Sequence, residues 1–287
     1  MKLSYFNTTY NFGDLLSITL LNDMFGVKKV VHETSVQRAD MIAIGSIFQK
    51  LIKDKPKQLT LKGYLKKYYR MYSNPKIEVF GTGFIRDQDI NGVELIRRLN
   101  IIALRGVYTK QKLDSISGKK NKITLGDPGL LCKELIDTTK IKKKFKLGIV
   151  PHYADKKSKF IYELEKSNSG SKIIDIQQEP YAFLREISQC EMILSSAMHG
   201  LIASDSLNIP NLRLIVSDNL AGGDFKFNDY YSVFGIENHN KLDLFKKQMK
   251  YNNILNLIEV NFIDKSNQVD KINNDLLKSF KRKSKFA

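Results

Sequence analysis

The sequence predicts an α/β protein built on parallel sheets. Three observations carry that expectation. Short apolar runs alternate with segments of helical period along most of the chain. The alternation pauses at a polar, basic stretch, 137–146, and then starts again. Finally, the apolar run Met192-Ile193-Leu194 leads through Ser195-Ser196-Ala197 into an amphipathic segment. That segment begins at His199 and stops near Asn208, two residues before Pro210. A histidine therefore sits where a strand ends and a helix begins. Ligands of open α/β sheets bind beyond such strand ends. A helix start adds free N–H groups and a positive dipole end, both suited to an anion.

The elements follow in order. Lys2 to Phe6 reads as the first strand, and Asn11-Phe12-Gly13-Asp14 opens a helix over Leu15 to Phe25. There Leu15, Ile18, Leu21 and Phe25 recur at helical spacing, with Asn22 and Asp23 on the polar side. Strands are expected at Lys29 to His32 and Met41 to Gly45, and Gly45-Ser46 opens a helix over Ile47 to Lys53. Residues 54–75 are basic and tyrosine-rich without a core pattern, and read as an exposed excursion. Ile77 to Phe80 is a strand running into Gly81-Thr82-Gly83-Phe84. A helix over Val93 to Leu99, a strand over Ile101 to Leu104 and a helix over Val107 to Ile116 come next. Ile123 to Leu125 is a strand leading into Gly126-Asp127-Pro128-Gly129.

Beyond the basic stretch the pattern restarts. Strands are expected at Leu147 to Val150, Lys172 to Ile176, Glu191 to Leu194 and Leu212 to Val216. Helices are expected at Phe160 to Lys166 and Tyr181 to Gln189, and within Ala221 to Phe234 after a Gly-Gly loop. The remainder reads as helical and charged, with a basic tip that frays. Two successive α/β halves around a linker suggest two Rossmann-like domains facing a cleft, 1–140 and 146–240. Residues 241–287 form a helical basic tail.

Composition narrows the class. At 287 residues and 42% apolar content, the chain can bury a proper core. No run of about 18 apolar residues predicts a membrane span. The opening residues turn polar too soon for a signal peptide. Cys132 and Cys190 lie far apart and suggest neither a metal set nor a disulfide framework, which fits a cytoplasmic location. Net charge is +17, from 47 Lys+Arg against 30 Asp+Glu, concentrated at Lys50 to Arg70, Lys142 to Lys146 and Lys278 to Lys285. Such an excess reads either as a solvated lysine-rich surface or as attraction to an anionic partner such as the inner membrane face. No nucleic-acid recognition motif is evident, so nucleic acid is not an expected partner.

Several residues could carry chemistry. Gly81-Thr82-Gly83 reads as a tight turn or a phosphate loop, and Gly13-Asp14 as a helix-opening turn or a site loop. Arg105 follows a strand, where it could hold a carboxylate or phosphate, or make a surface salt bridge. Asp127 starts a turn or orients a partner. His199 is the best chemical candidate, and His152 holds the parallel position in the second half's first loop. His32 and His239 look incidental. Asp87-Gln88-Asp89 matches a short metal-binding pattern of some sugar-nucleotide transferases, and reads as a solvated loop.

Together these stretches resemble the polysaccharide pyruvyl transferase family. The resemblance covers most of residues 5–235. It rests on Asn11-Phe12-Gly13-Asp14, Gly81-Thr82-Gly83-Phe84, Leu104-Arg105-Gly106-Val107-Tyr108-Thr109, Gly126-Asp127-Pro128-Gly129-Leu130-Leu131, Val150-Pro151-His152 and the Ser196 to Gly200 helix start, in that order. Met198-His199-Gly200, with Lys226 to Tyr231 downstream, looks most like the branch that includes the succinoglycan pyruvyl transferases.

The resemblance implies a fold similar to glycosyltransferase type B (GT-B). The first domain would be the acceptor side, with Arg105 facing the cleft, and the second the donor side. It implies phosphoenolpyruvate as co-substrate, with no other cofactor, and the sequence itself shows no metal site. The acceptor would be a sugar of a capsule, exopolysaccharide or lipopolysaccharide precursor, lipid-linked at the inner membrane face. The product would be a pyruvate ketal, with phosphate released. His199 and Arg105 match the family's catalytic histidine and arginine. Asn11, Gly13, Asp14, Gly81, Thr82, Gly83, Asp127, His152, Ser196, Gly200 and Lys226 fall in the matching binding stretches. Many members carry an arginine two residues before the histidine. Here that position is Ala197, so one donor contact is either lost or supplied elsewhere, with Lys226 and Arg213 as the candidate cations. Two other classes fit the composition: a GT-B-like nucleotide-sugar glycosyltransferase, and a non-catalytic binder of acidic ligands.

Overall fold

Two all-parallel sheets form, as the strand–helix alternation predicts. The computed structural model describes residues 1–6, 9–56, 58, 60–218, 221–246 and 249–287, with Arg70 by its backbone alone. Lys57 and the Arg70 side chain, both within the basic stretch 50–70, therefore lie outside the described residues.

The first half contains β1 (Lys2–Ser4), α1 (Phe12–Thr19), β2 (Val31–His32), β3 (Met41–Ile42), β4 (Ile52–Asp54), α2 (Leu61–Ser73), β5 (Ile77–Phe80), β6 (Val93–Leu95), β7 (Leu99–Leu104), α3 (Val107–Ser117) and β8 (Thr124–Leu125). The second half contains β9 (Phe145–Val150), α4 (Lys159–Lys166), β10 (Ser171–Ile173), α5 (Pro180–Ser188), β11 (Cys190–Ser195), α6 (Met198–Ser206), β12 (Asn211–Ile215), α7 (Phe225–Tyr231), β13 (Lys241–Asp243), α8 (Tyr251–Asn261) and α9 (Ser266–Lys283).

The first sheet runs β2-β1-β3-β5-β7-β8 and the second β10-β9-β11-β12-β13. In each, the chain leaves its first strand to one side and returns on the other. β1 thus lies between β2 and β3, and β9 between β10 and β11. A reversal of this kind opens a crevice at the carboxyl ends of the two strands that flank it. The central strands read as continuous apolar runs because helices cover both faces. Leu147, Ile149 and Val150 of β9 and Ile193 and Leu194 of β11 are all fully buried.

The two halves share one core. A single apolar cluster joins Phe12, Leu16 and Leu131 of the first half to Phe183, Leu184 and Leu201 of the second. Phe12 packs its ring on Phe183 at 4.2 Å between centroids, and its N–H donates to the Ile176 carbonyl at 2.8 Å.

Three expectations need correction. The helix expected over Ile47 to Lys53 is a short 3-10 turn, Phe48–Leu51, followed by β4. The helix expected over Val93 to Leu99 is instead β6, paired antiparallel with β4 in the register Ile52↔Leu95 and Asp54↔Val93. Segments of three residues are too short for apolar spacing to separate a strand from a helical turn. Nor does the chain's last helical segment end as a frayed tip. α9 places Val269, Ile272, Leu276 and Phe280 in the core beside the first sheet. Phe280 stacks on Phe25 at 3.9 Å and packs against Phe80 at 5.0 Å. Just beyond it, the Ser284 hydroxyl and the Lys285 N–H donate to the Glu78 carboxylate at 2.6 and 2.8 Å. The excursion at 54–75 is exposed as expected, and carries α2.

Candidate active site

The crevices of both sheets open into one cavity. Its volume is about 210 Å³, with room for a small organic acid. Phe6, Asn11 and Asp14 reach it from beyond β1, and Gly45 and Ser46 from beyond β3. His152 comes from beyond β9, and Met198 and His199 from beyond β11. Lys226, at the start of α7, completes the polar wall. A larger groove of about 540 Å³ lies at the opposite, amino end of β9. It is lined by Lys140, Lys142, Lys144 and Arg185, and has no histidine.

His199 lies at the start of α6, which no side chain caps. Its ring is buried against the backbone of Gly13. A Cβ at Gly13 would fall 1.9 Å from His199 Nδ1, so only glycine lets the ring lie there. His199 Nε2 is buried and has no hydrogen-bond partner among the described residues. Burial first, and then the charges of Lys226 and Arg105, hold its pKa down to about 3. In the free protein the imidazole is therefore neutral, and does not titrate near pH 7 as the sequence suggested.

His152 is also neutral, held at about 4 by burial and by Lys226. Its Nδ1 accepts from the Ala154 N–H at 3.3 Å, which leaves the proton on Nε2. Its own N–H donates to Ser196 Oγ at 2.9 Å, and Ser196 Oγ donates to Asp155 at 2.7 Å. Asp155 also accepts from Ser217 at 2.5 Å. Ser196 thus holds the His152 loop rather than lining the cavity.

Lys226 is buried and makes no ion pair among the described residues. Burial, with the nearby Arg105 and Arg213, lowers its pKa to about 8, so at neutral pH it remains mostly an ammonium. Arg213, the other cation considered for the place left by Ala197, does not line the cavity. It is bound to Asp224 at 2.7 Å and to His239 at 2.9 Å, over the Phe227 ring. Asn11 caps the helix, its Oδ1 accepting the Asp14 N–H at 3.2 Å, and its amide donates to the Asp14 carboxylate. Burial pushes the Asp14 carboxyl up to about 7, against the opposing hydrogen bond from Asn11. Sequence pattern places Asp14 at a helix start, but only burial shows that it titrates near neutrality.

Arg105 differs from expectation. Rather than facing the cleft, it is fully buried and does not line the cavity. Its Nε donates to Asp229 at 2.9 Å, one terminal nitrogen to Ser46 Oγ at 2.6 Å and the other to the Phe84 carbonyl at 2.6 Å. Asp229, which the sequence did not single out, also accepts from the Thr109 N–H and hydroxyl at 2.8 and 2.7 Å. Gly83 lets the guanidinium lie flat against its backbone, since a Cβ there would fall 2.5 Å from Cζ. Arg105 therefore positions Ser46 at the cavity rim. Thr82 supports the same loop by donating to the Gly45 carbonyl at 2.7 Å. Gly81 abuts Pro128, Gly200 packs on Ser195, and buried Asp127 caps the turn at Gly129 at 2.8 Å. These four lie behind the cavity wall.

Asn11, Asp14, His152, His199 and Lys226 are thus brought together around one small space. Among the described residues it gathers a cation without an ion pair, two neutral imidazoles and a carboxyl that titrates near pH 7. Such a set binds an anion and moves protons.

Comparison with known proteins agrees in kind. Over 170 residues the chain is 35% identical to an uncharacterised protein of Acanthamoeba polyphaga mimivirus, spanning 58% of this chain and 57% of that one. Over 238 residues it is 23% identical to the succinoglycan biosynthesis protein ExoV of Rhizobium meliloti (strain 1021), spanning 82% of this chain and 66% of that one. The chain thus covers less than two thirds of the length of either relative. No solved structure matches. The family described as polysaccharide pyruvyl transferase matches residues 11–219, which include every polar group named on the cavity wall except Lys226. The chain belongs to the polysaccharide pyruvyl transferase family.

Proposed function

We propose that the protein transfers the pyruvyl group of phosphoenolpyruvate to a sugar of a surface-polysaccharide precursor, forming a ketal and releasing phosphate. The observation that carries this reading is the unpaired Lys226 ammonium in a cavity sized for a small acid. The donor bears a carboxylate and a phosphate, and Lys226 with the uncapped start of α6 offers it two positive features. The two parallel sheets are read as Rossmann-like domains in a GT-B-like arrangement, with the acceptor entering beside Ser46 and Asn11. A lipid-linked repeat unit is the proposed acceptor.

The proton steps balance within this site. The donor methylene gains a proton, and two acceptor hydroxyls lose theirs as two new C–O bonds form at the donor's second carbon. The bond from that carbon to the phosphate oxygen breaks. One hydroxyl proton replaces the one given to the methylene, and the other leaves with phosphate. His199 is the proposed proton donor. The negative charge of the donor opposes the Lys226 charge that depresses the imidazole, and so raises its pKa toward neutrality. Asp14, as carboxylate, takes the hydroxyl proton.

Phosphate release from phosphoenolpyruvate that depends on an added glycan acceptor tests the reading. Stabilisation of the protein by a nucleotide sugar alone would overturn it. The pH dependence of donor binding carries a signature. Lys226 must be protonated to hold the anion, so donor affinity falls above about pH 8. Asp14→Asn should lower turnover, and undiminished turnover would remove Asp14 from the reaction.

Gly13→Ala provides a geometric test. The new methyl forces the His199 ring out of place. The fold loses about 1–3 kcal/mol from overpacking. Turnover is expected to fall by roughly 100-fold, the scale of a misplaced acid–base group. Full turnover in a folded variant would show that the ring position does not matter.

A further inference from the structure

We infer that α2 is a membrane-surface anchor that seats the protein on anionic lipid. It stands on the helix itself and does not depend on the proposed reaction. Thr60 caps the helix, its hydroxyl accepting the Gly63 N–H at 3.2 Å. At about 100° per residue, Leu61, Tyr64, Leu65, Tyr68, Tyr69, Met71 and Tyr72 fill one continuous arc of roughly 160°. In an ordinary surface helix that arc would face the core. Here it faces water: Leu61 is 78% exposed, Leu65 63%, Tyr68 65% and Tyr69 72%. The body holds the helix at its flank through an ion pair from Lys67 to Glu94 of β6, and at the carboxyl end of the arc through Arg98 over the Tyr72 ring at 4.7 Å.

Charge identifies the occupant. Lys62 and Lys66 border the apolar arc and make no ion pair among the described residues. Lys53 and Lys67 are paired with Glu94, whereas the segment 50–70 holds a single acid, Asp54, on a chain of net charge +17. A second copy would set like charge against like. Tyr68 and Tyr72 stack on each other at 4.5 Å and Arg98 engages Tyr72, which takes up ring faces that sugars or bases would stack on. Leu61, Tyr64, Leu65 and Tyr69 remain outward beside lysines. That is the composition of a helix lying in a bilayer interface, with leucine below, tyrosine at the headgroups and lysine toward lipid phosphates.

The test uses the whole protein and vesicles of phosphatidylcholine, alone or mixed in equal parts with phosphatidylglycerol. The protein is expected to sediment with the mixed vesicles and not with the neutral ones. Lys62→Gln with Lys66→Gln should weaken binding on the order of 30-fold, about fivefold per lysine. Leu65→Asp should weaken it by at least tenfold. Far-UV circular dichroism should stay unchanged, because these side chains are exposed. The chain has no tryptophan, so Leu65→Trp reports from this site alone, and its emission should shift to the blue on mixed vesicles. Unmoved emission would overturn the inference. So would binding that the lysine variant loses and Leu65→Asp keeps, since that marks attraction by overall charge. Phosphate release can be followed with a lipid-free glycan acceptor, so failure of this test and failure of the proposed reaction are separable.

Discussion

Asp229→Ala is expected to destabilise the fold by about 3–5 kcal/mol, the cost of leaving a buried charge without its partner. Arg105 and Asp229 are both fully buried and 2.9 Å apart. The same carboxylate holds the Thr109 N–H and hydroxyl. Removing it orphans three donors in one interior. The pair is structural in a particular sense, because it ties α7 to the loop after β7 and, through Ser46, to the cavity rim. Equilibrium unfolding in urea checks the figure, and a loss under about 1 kcal/mol would show that the network relaxes around the gap. A double variant, Arg105→Met with Asp229→Leu, removes both charges. It should recover much of the stability but not the position of Ser46, because apolar replacements of a buried pair are often neutral while their hydrogen bonds are not restored. Activity that returned with stability in the double variant would count against a positioning role for Arg105.

Lys226→Met is expected to weaken phosphoenolpyruvate binding by roughly 10- to 100-fold, corresponding to about 1.5–3 kcal/mol for a hydrogen bond to a charged group. Methionine keeps the length of the stem without the ammonium. The variant has a second, independent readout. Lys226 is the largest charge among the causes that depress His199. Its removal should raise the His199 pKa from about 3, though burial keeps it below the ordinary value. The change can be followed by NMR titration of the imidazole without any substrate. Donor binding measured by calorimetry and an imidazole pKa that both stayed at wild-type values would place Lys226 outside the site.

The sequence carried the architecture well where strands were long and apolar. β9 and β11 were legible as runs, and the junction into α6 was legible from its small residues and the distant Pro210. The glycine turns were legible as turns, but their purpose was not. Gly13 looks like a helix opener, and its contact with His199 exists only because the two sheets converge. The pairing of Arg105 with Asp229 spans 124 residues. An acid among tyrosines carries no local sign of that partner, and so Arg105 read as an anion-holding arginine or a surface ion pair rather than as half of a buried one. Likewise the apolar spacing of α2 was hidden among lysines, and its meaning came from exposure rather than pattern. His199 shows the limit most directly. Its type and place were apparent, but its protonation was not, because burial depends on the whole fold.

α9 sets an order on how this protein can be made. Phe25 and Phe80 emerge early in synthesis, whereas Phe280, which covers both, comes from the other half of the chain. Until it arrives, the first sheet carries an uncovered aromatic face. Contacts so distant along the chain close slowly. A growing chain in that interval presents sticky surface to its neighbours on the same messenger. Expression yield should therefore respond to translation speed and chaperone supply more than the stability of the finished protein would suggest.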